Sequence, residues 1–502
     1  MVFLLPFSIG FRVMLTDMQT MFFALQVIFL GGYVILLGGK ENLMAYNESS
    51  NKTIIVIVLA TTFLFTFSQF LLITAYPTLM QEFSINATQV QWLTTAFLLT
   101  TVVFIPMTGY LSDTYSARFL VIFSLVFFVI GTVIALLAPN FIVLIISRVI
   151  QAVGAGIMVP LVQTILLGVF PFEKRGFALG LLGLVVNVAP ASAPSLSGII
   201  IDIYNWRALF WIMLFLSLAI LVLAHGFMRN VTEQRESKLD LFSIILAGIG
   251  FSSLIFGMSN ISVLGFSHWS VITTIVLGIV MLAFFVRRQL TIDPPLLNLF
   301  VFRKKMFAIS TILVFVVAML LLSMETILPM FSQEVLGTSA FLSGFVLVPG
   351  TIILSVMSLV AGNLFDKYGG RRIIIFGFLL ILLSSMLFSI LGADGSPYLI
   401  MFYFCIFMMG IGLTMMPLVT LGFNSLQTSE ISHASAIGNT VRQFGLAFGV
   451  ILLTTIISIT TNQMDQPYEV ATFWGMKYAF IVMSVISLIG GLLSLMLKDE
   501  QE

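Results

Sequence analysis

From residue 54 to residue 496 the chain is a nearly unbroken succession of apolar runs. Each is about 18 residues or longer, the length an α-helix needs to cross a bilayer. The runs lie near 54–74, 92–110, 119–138, 141–168, 177–200, 206–228, 240–260, 269–286, 306–328, 340–361, 373–392, 398–423, 433–460 and 474–496. A chain that is 60% hydrophobic and 9% charged, with a mean hydropathy of +1.14, has too little polar surface for a soluble globule of 502 residues. The expected fold class is an all-α polytopic membrane protein embedded in the lipid bilayer. The formal net charge of +1 points to no nucleic-acid partner, because the charges are sorted by loop. Cys405, the one cysteine, lies inside an apolar run and reads as a small buried side chain.

The basic residues set an orientation. When the segment before the first run is placed in the cytoplasm and the runs alternate, one side holds most of the positive charge. Arg118, Lys174, Arg175, Arg229, Arg235 and Lys238 fall there, followed by Arg287, Arg288, Arg303, Lys304, Lys305, Lys367, Arg371, Arg372 and Lys498. The other side holds Arg207 and Lys477, each at the start of a run. Basic loops stay on the cytoplasmic side of a membrane, so the C-terminus is expected in the cytoplasm of a multi-pass protein of the cell membrane.

One short loop sequence occurs twice. Gly109-Tyr-Leu-Ser-Asp113-Thr-Tyr-Ser-Ala-Arg118 follows the second run, and Gly362-Asn-Leu-Phe-Asp366-Lys-Tyr-Gly-Gly-Arg371-Arg372 follows the tenth. Both have the form Gly-x-Leu-x-Asp with basic residues from the tenth position. A charged loop repeated at matching places in two apolar halves signals internal duplication. The expected division is a six-helix bundle at 54–228, an inserted transmembrane hairpin with its flanking loops at 229–305, and a second six-helix bundle at 306–502. Residues 1–53 stand apart as an N-terminal extension. Within it, 21–39 is apolar enough for a further span, whereas residues 1–43 read equally as dispensable or as an artefact of start-site choice. A signal peptide is the weaker reading, since Asp17 interrupts the stretch.

The duplicated loops resemble the loop signature of the major facilitator superfamily. The second copy is nearly complete, while the first has Thr114 where a basic residue is usual and Ser116 where Gly is usual. Six plus two plus six spans resembles the fourteen-span drug:proton antiporters of the EmrB/QacA type. The resemblance implies the major facilitator fold, monomeric by default, with Gly109, Asp113, Arg118, Gly362, Asp366 and Arg371 latching the two halves on the cytoplasmic side. The plainer reading of these charges is a solvated topology signal. Further residues extend the resemblance. Arg148-Val-Ile-Gln151 in the fourth run is similar to a superfamily motif that lines the proton route, and its two polar residues, three apart, share a helix face. Gly180, Ala189, Pro190, Ala193, Pro194, Ser197 and Gly198 fit the antiporter spacing Gly-x8-Gly-x3-Gly-Pro-x2-Gly-Gly with three glycines replaced by other small residues. Small residues allow close helix approach, and Pro190 and Pro194 bend the span. Ordinary packing would use the same residues.

Glu325 is the one carboxylate expected deep within a run, and charged side chains inside a membrane mark ion pathways by default. Burial favours the neutral carboxyl over the carboxylate, so this acid is placed to take up and release a proton. Pro329 has no N–H to bond the carbonyl of Glu325, which loosens the turn between them. The bland alternative is an acid held neutral for packing. The exporters that the chain resembles usually carry Asp nine residues before the Pro of Ala-x-Pro in the first span; here Ala75-Tyr76-Pro77 is preceded at that distance by Ser68, then Gln69. Neither titrates, which shifts the coupling role toward Glu325, with Arg148 and Asp113 as companions. Asn439-x-x-Arg442 in the thirteenth run resembles a further exporter pattern, and Arg442 lies deep enough to need a partner. Ser68, Gln69, Phe67, Gln151, Asn439, Arg442 and Met415 are the candidate cavity lining. Phe63 and Met408 are similar candidates, although most Phe and Met in such a protein face lipid. His225, His268 and His433 at span ends read as interfacial.

No GxxxxGK[ST], HExxH, CxxC or GxSxG sequence occurs, so neither an ATP site, a metal site nor a hydrolase has support, and no cofactor is expected. The resemblance implies a carrier, not an enzyme, that exchanges protons for amphipathic, often cationic drugs or dyes. An exporter of an endogenous metabolite, lipid-like molecule or peptide is the alternative, and a non-transporting membrane sensor a more distant one.

Overall fold

The computed structural model describes residues 48–498 apart from 86, 91, 232, 233, 235–239, 266, 267, 294, 339, 393 and 394. The candidate span at 21–39, and Arg235 and Lys238 of the basic loops, lie outside the described residues. Fourteen long helices carry the fold: α1 Glu48–Leu71, α2 Trp92–Thr114, α3 Ala117–Leu136, α4 Phe141–Val169, α5 Arg175–Ile203, α6 Trp206–Phe227, α7 Leu241–Ser259, α8 Trp269–Gln289, α9 Lys305–Met330, α10 Val348–Tyr368, α11 Arg371–Ile390, α12 Pro397–Asn424, α13 Ile431–Gln463 and α14 Tyr468–Ser494. Thirteen stretches among the described residues are long and apolar enough to cross a membrane. The long helix outside that set is α5, which occupies the place of the fifth expected span. Local rules set several boundaries. Ser116, Asn140, Asn205 and Ser396 each turn a side-chain oxygen onto a first-turn N–H, at Phe119, Val143, Ala208 and Tyr398, and start α3, α4, α6 and α12. Pro106, Pro160, Pro329 and Pro417 sit inside helices. After Pro329, α9 runs into a widened π-helical turn at Phe331–Val335.

Packing follows the duplication. Within the first six helices α2 packs on α4, and α3 on both α4 and α6; within the last six α10 packs on α12, α11 on α12 and α14, and α9 on α13. The two sets meet through matched pairs. α5 lies along α10, and α13 lies along α2. These are the fifth helix of one set against the second of the other, in both directions. The hairpin α7–α8 packs through α7 on α2 and α13, where Phe251 meets Phe444 edge to face at 6.3 Å between ring centroids. Backbone approach is closest where side chains are smallest. A Cβ on Gly180 would stand 2.7 Å from the Ser358 carbonyl, and Gly362 faces the Gly176 backbone just as tightly. At Gly198 the expected close approach is missing, since an added Cβ would meet nothing within 4 Å.

Candidate functional site

Both motif copies occupy the end of the bundle that carries the basic loops. Asp366 accepts hydrogen bonds from the backbone N–H groups of Gly176 and Phe177, each at 2.8 Å. Those N–H groups belong to the first turn of α5, where a helix has no internal acceptors for them and its dipole favours an anion. Asp113 meets the start of α13. Ser432 donates to its carboxylate at 3.3 Å, and His433 Nε2 lies 2.9 Å from its other oxygen. The basic residues do not pair with the aspartates of their own loops. Arg118 donates to the His225 carbonyl at the end of α6, and Arg371 to the Leu495 carbonyl just beyond α14, which caps the last carbonyls of each sixth helix. The degraded first copy therefore does what the complete second copy does.

His433 departs from its expected interfacial placement. It is buried against Gly109, and its Nδ1 accepts the Asn298 backbone N–H at 3.3 Å. With Nδ1 accepting, the ring proton sits on Nε2 and points at Asp113. The segment after the hairpin thereby reaches Asp113 through His433. No periodicity or spacing signals this, because the contact joins residues over 300 positions apart in sequence. Above the two aspartate contacts the halves are joined again by Gln163 of α4, whose carbonyl accepts from Ser435 at 2.5 Å and Asn439 at 2.8 Å, both on α13. Asn187 of α5 donates to Ser358 of α10 at 3.1 Å.

Arg148 is buried in the first six helices, 1% exposed. One guanidinium nitrogen donates to the Ser68 hydroxyl at 3.0 Å and to Gln151 at 2.7 Å; the other reaches the Ser68 carbonyl at 3.1 Å. Gln151 passes the network to Thr132 at 2.8 Å, and the Phe97 ring lies 4.4 Å from the guanidinium carbon. No carboxylate takes part among the described residues. Ser68 thus stands in the position that an acid would fill and gives the cation neutral oxygens instead. Phe67 is buried and stacks on Phe63 at 5.6 Å, and Gln69 is half-buried beside Ser68.

Glu325 lies in the last third of α9, half-buried, with no hydrogen bond or ion pair among the described residues. Arg442 is not its partner. Gly445 packs on the Phe315 backbone and Gly449 on that of Met319, so α9 and α13 run parallel in a fixed register. That register places Glu325 about 20 Å along the axis from Arg442 at ~1.5 Å per residue. Arg442 instead lines a small cleft of about 30 Å³ with Gln163, Asn439, Ser310 and Thr311. Met415 does not line it; it is packed in the core of the last six helices. Pro190 and Pro194 both lie inside α5. Among the described residues no group of three or more His, Cys, Asp or Glu side chains is placed to hold a metal ion.

The sequence model of the Major Facilitator Superfamily matches residues 58–450. The chain belongs to this superfamily. It is a multi-pass membrane protein with the major facilitator fold, and like other members it is a transporter of small molecules. The uncharacterized MFS-type transporter YcnB of Bacillus subtilis is 41% identical over 456 residues, 90% of this chain and 96% of that protein. The lincomycin resistance protein LmrB of the same organism is 38% identical, over 87% of this chain and 94% of its own length. The riboflavin transporter RibZ of Clostridioides difficile is 24% identical, with coverage of 88% and 96%. The crystal structure of the human organic anion transporter MFSD10 superposes with a TM-score of 0.65 at 12% identity, over 88% of this chain and 99% of that one, which is a likeness of fold. In this major facilitator the Asp113 and Asp366 contacts and Arg148 sit on opposite sides of the Gln163 contact along α4 and α13, whereas Glu325 and Arg442 fall in two separate places.

Proposed function

We propose that this transporter is a proton-coupled exporter of amphipathic drugs or dyes, cations among them, of the fourteen-span EmrB/QacA type. The observation that carries the reading is Glu325, a carboxyl inside a membrane helix with no partner among the described residues. An unneeded acid is costly there. Support also comes from LmrB, a relative named for drug resistance. With the basic loops in the cytoplasm, the latched arrangement is the outward-facing one. Protonation of Glu325 from outside neutralises the cavity and releases a bound cation. Deprotonation after the halves rock restores a charge that attracts the next. Competition of proton and cargo for one acid is a sufficient coupling principle. Arg148, held by neutral groups, biases the local field without consuming the acid.

The test uses sealed proteoliposomes that enclose a pH-sensitive dye. Ethidium added to the wild type is expected to drive proton movement, and Glu325→Gln is expected to fold and abolish it. Unchanged ethidium-driven proton flux in Glu325→Gln would sink the assignment of the coupling acid. A second reading, export of an endogenous metabolite, is favoured by the relative named as a riboflavin transporter. It predicts no drug-driven flux in the wild type and accumulation of one metabolite in cells that lack the protein.

A further inference from the structure

The cleft beside Arg442 is bounded by α9, α12 and α13 and closed by Gln163 from α4. Two of its polar atoms are orphans. Arg442 Nε is buried without a hydrogen-bond partner, and so is the hydroxyl of Ser310, a residue 2% exposed. Arg442 makes no hydrogen bond or ion pair with any described residue. Gln163 accepts at its carbonyl from Ser435 and Asn439 and lines the cleft. No carboxylate lines the cleft among the described residues. Its remaining walls are apolar, with Phe307, Val314, Leu418 and Phe423 prominent. Arg442 is half-buried with its Nε sealed from solvent; a guanidinium so placed without a counter-charge is costly, and strong acceptors relieve it. The two arginines share an unpartnered Nε, but the terminal nitrogens of Arg148 make three hydrogen bonds and its guanidinium faces Phe97, whereas those of Arg442 make none with described residues.

We infer that this cleft is a binding site for an oxyanion carried on an apolar body, with Arg442 and Ser310 gripping the anionic group and the Phe307–Phe423 wall taking the apolar part. In this closed arrangement the cleft has about 30 Å³ of accessible space, room for the anionic group alone, and the apolar part is seated against the wall once Gln163 withdraws. The sign is opposite to that of the Glu325 region, so one carrier holds an acid toward one end and a base toward the other. Gln163 makes the site sensitive to the state of the transporter, because it crosses from the first six helices to α13. When the halves part on the basic side, the cleft loses that wall and opens. The inference takes from the preceding reading only that the occupant is cargo; the oxyanion chemistry rests on the cleft. An anionic lipid headgroup has the same chemistry and is the other source.

The experiment measures binding of a dansyl-labelled alkyl carboxylate to the full chain in phosphatidylcholine nanodiscs, with the methyl ester and a matched trimethylammonium as controls. The carboxylate is expected to bind more tightly than either control. Its affinity should fall ~10-fold or more in Arg442→Gln and less in Arg442→Lys, which keeps the charge but loses the fork. Ser310→Ala, a smaller change for the fold, should weaken it several-fold. Displacement by phosphatidylglycerol added to the nanodisc would assign the lipid as the occupant, and its absence would assign cargo; both keep the oxyanion site. Equal binding of ester and carboxylate, or unchanged carboxylate affinity in Arg442→Gln and Ser310→Ala, would overturn it. Failure here is separable from failure of drug:proton exchange. Absent ethidium-driven flux with Arg442-dependent binding removes only the exchange reading, and the reverse result removes only this one.

Discussion

Two arginines inside the membrane helices show how far single residues reveal their surroundings. That Arg148 and Gln151 share a face is legible, because residues three apart on a helix always do, and they are hydrogen-bonded. That Ser68 supplies both a hydroxyl and a carbonyl to the same guanidinium is not, because it joins α1 to α4 through the tertiary fold. The sequence marked Ser68 as a missing acid and a candidate cavity lining, not as a partner of Arg148. Its replacement value is therefore a neutral acceptor pair, and the consequence is testable. Ser68→Ala removes one acceptor from a buried charge while leaving the helix intact. The expected cost is about 1–3 kcal/mol of stability, visible as a lower midpoint in thermal unfolding of the detergent-solubilised protein. Ser68→Thr, which keeps the hydroxyl, should recover most of it. An unchanged midpoint in Ser68→Ala would mean that water replaces the hydroxyl at no loss.

Helices were easier to read than their ends or their neighbours. The apolar runs anticipated each long helix, but the runs extend differently from the hydrogen-bonded elements. α13 begins at Ile431, before its apolar stretch, directly after a 3₁₀ turn at Thr428–Glu430 closed by a Gln427–Glu430 capping box, and so brings Ser432 and His433 to Asp113. The sequence reads the hairpin α7–α8 as an insertion and says nothing of how its two helices are tied together. Asp240 at the start of α7 receives Arg288 from the end of α8 through bonds of 2.6 and 3.0 Å, and Ser243 adds a third to the same carboxylate. Gln289 donates to Ser243 at 2.6 Å and accepts the Leu297 N–H at 3.0 Å, tying in the segment that follows. The Arg288 guanidinium holds the Asp240 carboxyl below its ordinary range. A depressed carboxyl stabilises the fold above its unfolded value, near 3.9, and that contribution fades as pH falls through the folded value. The ends of α7 and α8 are thus expected to keep full hydrogen-exchange protection from about pH 5 upward and to lose part of it below about pH 4. After correction for intrinsic exchange rates, Arg288→Gln should remove this pH dependence. Persistence of the acid-induced loss in Arg288→Gln would place its origin elsewhere.

For the whole molecule, the duplicated loop was the most legible feature, and its geometry explains why it survives even when degraded. Each copy joins three elements: its aspartate meets the start of the fifth helix of the opposite set, and its arginine caps the end of the sixth helix of its own. Thr114 and Ser116 stand at the altered positions of the first copy, and neither is used in those contacts. Ser116 instead caps α3. What sequence could not supply is the direction of the crossing, since both aspartates look equally able to pair with their own arginines. The crossing matters because contacts between the sets must break when they rock, whereas contacts within a set persist. Asp366 gives two charge-assisted bonds to one helix end, and such bonds contribute ~1.5–3 kcal/mol each in favourable cases. Asp366→Ala is then expected to shift the resting distribution toward opening on the basic side by ~10-fold or more. Spin labels at Arg229, just beyond α6, and at Lys367, in the last turn of α10, would report this as growth of a longer distance in the wild-type lipid environment. Asp113→Ala should act in the same direction, and the double substitution should exceed either alone, because the two latches hold the same interface at separate points. An unshifted distance distribution in Asp366→Ala would leave Gln163, with its bonds to Ser435 and Asn439, as the contact that keeps this side closed.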